Sequence, residues 1–177
     1  PPPTSGTRDA FVELAMQGGA EGIACMDALK DSDRDRFESI ASRIREDGKW
    51  VDAGENDNAI VQTLMNTPDG FGVFGFSFLD QNSDRLHGAI IDGVSPEFED
   101  IASGAYPVSR SLYFYVKNQH AGLVPGLAEY VGEFTSDDAW GEFGYLTDRG
   151  LIPLPDVLRD AMGEAARTLS PMTQAPE

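Results

Sequence analysis

At 177 residues, 41% of them hydrophobic, the chain is long enough for one domain with a sizeable core, or for a domain and part of a second. Its 13 Lys and Arg stand against 30 Asp and Glu, and the resulting net charge of −17 argues against nucleic acid or an anionic membrane surface as a partner. No apolar run approaches the roughly 18 residues of a membrane-spanning helix, and the one cysteine, Cys25, lacks a disulfide partner in the chain and is expected as a small buried hydrophobe.

The chain opens on Pro1-Pro2-Pro3 rather than Met, which reads as a fragment or a processed chain with any signal peptide upstream. Thr4-Ser5-Gly6-Thr7 follows as a helix start, and Phe11, Val12, Leu14, Ala15 and Met16 predict about three helical turns, stopped at Gly18-Gly19. Ser32 is placed to cap a second helix carrying Phe37, Ile40, Ala41 and Ile44. Asn56 or Asp57 caps a third, with Ile60, Val61, Leu64 and Met65 on one side, and Thr67-Pro68-Asp69-Gly70 ends it in a turn.

From Phe71 to Phe78 the chain reads as a buried strand, and Ala89-Ile90-Ile91 as another, before Ser95-Pro96-Glu97 opens a brief helix through Ile101. The run from Leu112 to Val116 has the strongest strand composition. Helices follow near Leu123 to Phe134, Ser136 to Leu146 with Trp140 and Phe143 inward, and Asp156 to Leu169, then a loose tail. The alternation predicts an α/β fold, a central sheet covered by helices, with a boundary at Gly104 to Arg110. A lone strand after that boundary needs partners from elsewhere.

Ser5-Gly6-Thr7-Arg8 is the best candidate for chemistry. The first amides of a helix have no intrahelical acceptor, the dipole there is positive, Gly6 permits close approach, and two hydroxyls and a guanidinium stand beside it. The same four residues also suit an ordinary N-cap with a charged first turn. Enzymatic readings are poorer. His87 and His120 fall on loops outside any metal-ligand spacing, and neither a Gly-x-Ser-x-Gly elbow nor a Gly-rich Lys-Ser/Thr phosphate loop is present. Glu55-Asn56-Asp57-Asn58 lacks the spacing of a calcium loop and reads as a helix cap. No catalytic residue, metal or cofactor is expected.

Four stretches carry a resemblance: SGTRDAF from Ser5, TPDGFGVFGFSFL from Thr67, IDGVSPEFEDIASGAYPVSRSLYFYV from Ile91, and WGEFGYLTDRGLIPLP from Trp140. The sequence resembles the phosphate-binding proteins of ABC phosphate transporters, in the periplasmic-binding-protein superfamily. That resemblance implies two α/β lobes closing on the ligand. Residues 1–104 would then be second-lobe, 105–118 an interlobe crossing and strand, 119–170 C-terminal helices packing on the first lobe, and 171–177 a flexible tail, with the rest of the first lobe upstream.

The resemblance further implies that Ser5, Gly6 and Thr7 hold phosphate oxygens and that Arg8 adds charge. The function it implies is a periplasmic solute-binding subunit that captures inorganic phosphate and passes it to a membrane permease, without catalysis. Family members often carry an Arg four residues before this Ser, where this chain has Pro1. Ser109 and Arg110 are expected in the crossing, with a hinge role rather than ligand contact. The alternatives are another tetrahedral oxyanion such as sulfate, a phosphate-ester hydrolase using Ser5, or a sensor or adhesion module on the same fold.

Overall fold

The computed structural model describes residues 1–172, and in it the chain is 48% helical with 1% strand. The expected central sheet is overturned: among the described residues the only β pairing is an isolated bridge between Ile91 and Val94. Strand propensity expresses a fit to a neighbouring strand rather than an intrinsic backbone preference. Among the described residues the three β-rich runs find no such neighbour beyond that one bridge at Ile91. Residues 71–75 are irregular, and the aromatic run expected to continue as a strand instead turns helical over Phe76–Asp80. Residues 112–116 form no ladder, and Leu112 is 81% exposed. The bridge itself comes from Asp92-Gly93, both at positive φ (51° and 83°), which closes a two-residue hairpin turn.

The chain divides into two compact units, one of residues Pro1–Pro96 with Tyr106–Arg110, the other of Glu97–Ala105 with residue 111 onward. In the first unit a continuous helical stretch begins at Gly6–Ala10, widens to a π-helix over Phe11–Gln17 and tightens again over Gly18–Glu21, so Gly18-Gly19 does not stop it. The next helix, Ala24–Ser32, is absent from the sequence reading; it carries Cys25, which is exposed rather than buried. Asp33, not Ser32, caps Arg34–Ala41 by accepting from the Arg36 amide at 3.1 Å. Phe37 and Ala41 from that helix are buried.

Asn56 caps Asp57–Met65, its side chain accepting the Asn58 amide at 3.0 Å, and the helix buries Ile60 and Val61. The chain then turns as expected, with the Gly70 amide on the Thr67 carbonyl at 2.9 Å. Glycine at position 72 lets the chain pass close to that helix: a Cβ there would lie 2.6 Å from Leu64 Cδ1 and 3.1 Å from Ile60 Cγ2, so a larger residue would require those side chains to move.

In the second unit Leu127–Phe134 buries Val131, and Ser136 caps Asp137–Trp140 as predicted, accepting from the Ala139 amide at 3.3 Å. That helix ends at Trp140, short of Leu146, and leaves Phe143 95% exposed rather than inward. The Phe114, Tyr130, Phe134 and Trp140 rings make a chain of contacts with centroids 4.8–6.3 Å apart. Arg167, in the last turn of Asp156–Arg167, donates to the carbonyl and hydroxyl of the buried Thr135 at 3.0 and 3.1 Å. Of the expected tail, residues 173–177 lie outside the described residues.

Phe37 is 2% exposed, so Phe37→Ala leaves a cavity and should lower unfolding free energy by about 3–5 kcal/mol. Urea unfolding followed by far-UV circular dichroism measures it, and a loss below about 1 kcal/mol would show that the side chain is not packed as described.

After the Phe37 helix, Arg45 grips Asp47 through both carboxylate oxygens, and the hydrogen bonds from that guanidinium hold the Asp47 carboxyl at about 2. A folded pKa below the unfolded one means that the pair's contribution is present above the ordinary carboxylate range and is lost as pH falls toward 2. A carboxyl-carbon NMR titration should place the Asp47 midpoint near 2 and return it toward 3.8 in Arg45→Gln. An Asp47 midpoint unmoved by that substitution would contradict the assigned cause.

Candidate functional site

Ser5 is the first-unit residue from which the helix departs. Its backbone is extended (φ −89°, ψ 125°), its amide donates to the Pro2 carbonyl at 3.0 Å, and its carbonyl accepts the amides of Arg8 and Asp9 at 3.0 and 3.2 Å. The next two amides, of Gly6 and Thr7, precede the first residue able to donate back along the helix and have no acceptor among the described residues. Ser5 occupies the N-cap position, yet its hydroxyl does not cap, in contrast to the Asp33, Asn56 and Ser136 side chains. The Thr7 hydroxyl is likewise without a partner among the described residues. Two amides and two hydroxyls therefore stand unused within three consecutive residues, at the positive end of a helical stretch. That donor set suits an oxyanion.

The charges around this loop are unevenly committed. Arg8 ion-pairs with Asp52, Nη1 to Oδ2 at 3.9 Å, and its guanidinium carbon lies 5.7 Å from the centre of the Trp50 ring, which in turn packs against Phe11 at 5.6 Å. The Thr4 hydroxyl donates to the Glu55 carboxylate at 2.6 Å. Arg110, by contrast, comes from the segment Tyr106–Arg110 and donates from Nη2 to the Gly6 carbonyl at 2.9 Å. One further bond ties that segment to the rest of the first unit, Tyr106 Oη donating to the Ala89 carbonyl at 3.1 Å, while Ser109 Oγ donates to the Tyr106 carbonyl at 2.7 Å within the segment itself. Partial burial raises the Tyr106 hydroxyl's pKa, which keeps it protonated as a donor.

Of the residues singled out in the sequence, Ser5, Gly6 and Thr7 present the donors their types predict, while Arg8 is turned to Asp52 and Trp50. Arg8 also borders an open groove of about 630 Å³ that includes Glu13, Glu38, Arg43 and Arg45. The mixed signs there favour no single ligand charge. His87 and His120 are exposed, and the described residues contain no group of three or more His, Cys, Asp or Glu arranged to hold a metal. Sequence reasoning missed the bond between Arg110 and Gly6. No local signal could have found it, because the two residues are 104 positions apart.

Comparison with known proteins returns one family model and several named relatives. The PBP superfamily domain matches residues 1–138. The chain is 30% identical to the phosphate-binding protein PstS of Bacillus subtilis over 167 residues, 92% of this chain and 44% of that protein. It is 32% identical to PstS of Staphylococcus haemolyticus over 53% of this chain and 31% of the relative, and 33% identical to protein SphX of Synechococcus elongatus over 39% and 22%. The chain thus spans less than half the length of these relatives. No solved structure matches it significantly. Because the family match covers well over half of the sequence, the chain belongs to the PBP superfamily.

Proposed function

We propose that the Ser5-Gly6-Thr7 loop is a phosphate-holding element of a solute-binding subunit that captures inorganic phosphate and delivers it to an ABC transporter permease. The observation that carries this reading is the set of unused donors: two amides and two hydroxyls with no partner among the described residues, in a chain similar to proteins named phosphate-binding. Each donor would bind a phosphate oxygen by a charge-assisted hydrogen bond, roughly twice as strong as a neutral one. Arg8 is an outlying member of the set, its charge shared with Asp52.

The net charge of −17 does not veto an anion here. Exposed charges beyond about 8 Å are screened at physiological salt, whereas hydrogen bonds at the loop act at contact. A periplasmic location goes with this function, and no helix among the described residues is long and apolar enough to cross a membrane. For hydrolysis Ser5 would need a base, and its hydroxyl is hydrogen-bonded to none among the described residues.

Thr7→Ala removes one hydroxyl donor and should weaken phosphate binding by about one to two decades, the equivalent of roughly 1.5–3 kcal/mol. Calorimetry with phosphate and, separately, sulfate measures this. Unchanged phosphate affinity in the variant would overturn the assignment, tighter binding of sulfate would replace the ligand, and steady release of product from a phosphate ester, lost in Ser5→Ala, would replace binding by catalysis.

A further inference from the structure

Two guanidinium groups stand near the loop, and they differ in what else they touch. Arg8 follows the loop in sequence but is paired with Asp52 and lies over Trp50. Arg110 comes from a distant part of the chain, and among the described residues no carboxylate lies within ion-pairing distance of it. In a chain with 30 acidic residues against 13 basic ones, its guanidinium thus stays outside any ion pair, beside the loop. Its hydrogen bond goes to the Gly6 carbonyl at 2.9 Å, and the same Nη2 lies 3.4 Å from where a Gly6 Cβ would be, so the guanidinium rests against bare backbone.

We infer that Arg110, rather than Arg8, is the positioning residue of this loop: it fixes the Gly6–Thr7 peptide and adds positive charge beside the unused donors. The Gly6 carbonyl and the Thr7 amide belong to one planar trans peptide, so a donor that holds the carbonyl also sets the direction of the Thr7 N–H. A hydrogen bond to that carbonyl polarises the peptide and makes the Thr7 N–H a better donor. The role given to the charge rests on the phosphate reading of the loop; the hold on the peptide does not.

The test uses the 177-residue chain, labelled with carbon-13 and nitrogen-15, as wild type, Arg110→Gln, Arg110→Lys, and Arg149→Gln as a control that removes the same charge from the second unit. Without phosphate, Arg110→Gln should shift the Gly6 carbonyl and Thr7 amide resonances, whereas Arg149→Gln should leave them in place. Titration with inorganic phosphate at low and high salt should then show binding weakened about tenfold in Arg110→Gln, with a flatter salt dependence. Arg110→Lys should keep the salt dependence. Gly6 and Thr7 resonances unmoved by Arg110→Gln would overturn the inference, as would wild-type phosphate affinity and salt dependence in that variant. If the resonances move but no protein in the series binds phosphate, the hold on the peptide stands and the phosphate reading falls.

Discussion

Backbone amides and carbonyls must find partners, and in this chain they find them close by in sequence. Helices supply their own, and three of the helix starts borrow a side chain: Asp33, Asn56 and Ser136 each accept an amide that the first turn would otherwise leave bare. Strands need a second strand, and among the described residues the β-rich segments pair only through the Ile91–Val94 bridge; Phe114, from one of them, packs instead on the helical rings of Tyr130 and Phe134. The start at Ser5 has a capping residue by type, but the hydroxyl is not spent on the cap, and the Gly6 and Thr7 amides have no acceptor among the described residues.

Charge follows the same local logic. Arg34 pairs with Glu38 one helical turn away, Arg45 with Asp47, and Arg159 with Asp156 and Asp137, so part of the limited positive charge is neutralised by neighbouring carboxylates. Such exposed pairs add little stability each, but they decide which cations stay available. Arg110 stays available, and it is the one bonded to the loop. A strongly acidic protein can keep a cation at a chosen place when contacts shorter than the screening length hold it there.

What was legible in the sequence was short-range. The caps at Asn56 and Ser136, the Thr67–Gly70 turn and the Ser5 helix start each depend on a few adjacent residues, and each lies where its chemistry predicts. The Asp92-Gly93 turn carries an equally local signal, the dipeptide suited to positive φ at two successive positions. The sheet was not legible because β composition describes a surface to be matched and says nothing about whether the match is present. Cys25 was misplaced for a related reason: burial depends on which face of Ala24–Ser32 meets a neighbour. The bond from Arg110 to Gly6 was beyond reach of any local pattern, since only the folded chain brings positions 104 apart together. Family motifs did extend the reading over distance, and the superfamily they implied holds over residues 1–138.

The donors at Ser5, Gly6 and Thr7 are proposed to hold a phosphate ion. An amide-resolved map of where phosphate acts, a nitrogen-15 chemical-shift titration of the 177-residue chain with phosphate at constant ionic strength, tests it most directly and reads weak as well as tight binding. Saturable shifts, largest at the Gly6 and Thr7 amides, are expected. Shifts that gather instead on Arg43 and Arg45 in the neighbouring groove, or that never saturate at any residue, would contradict the proposal.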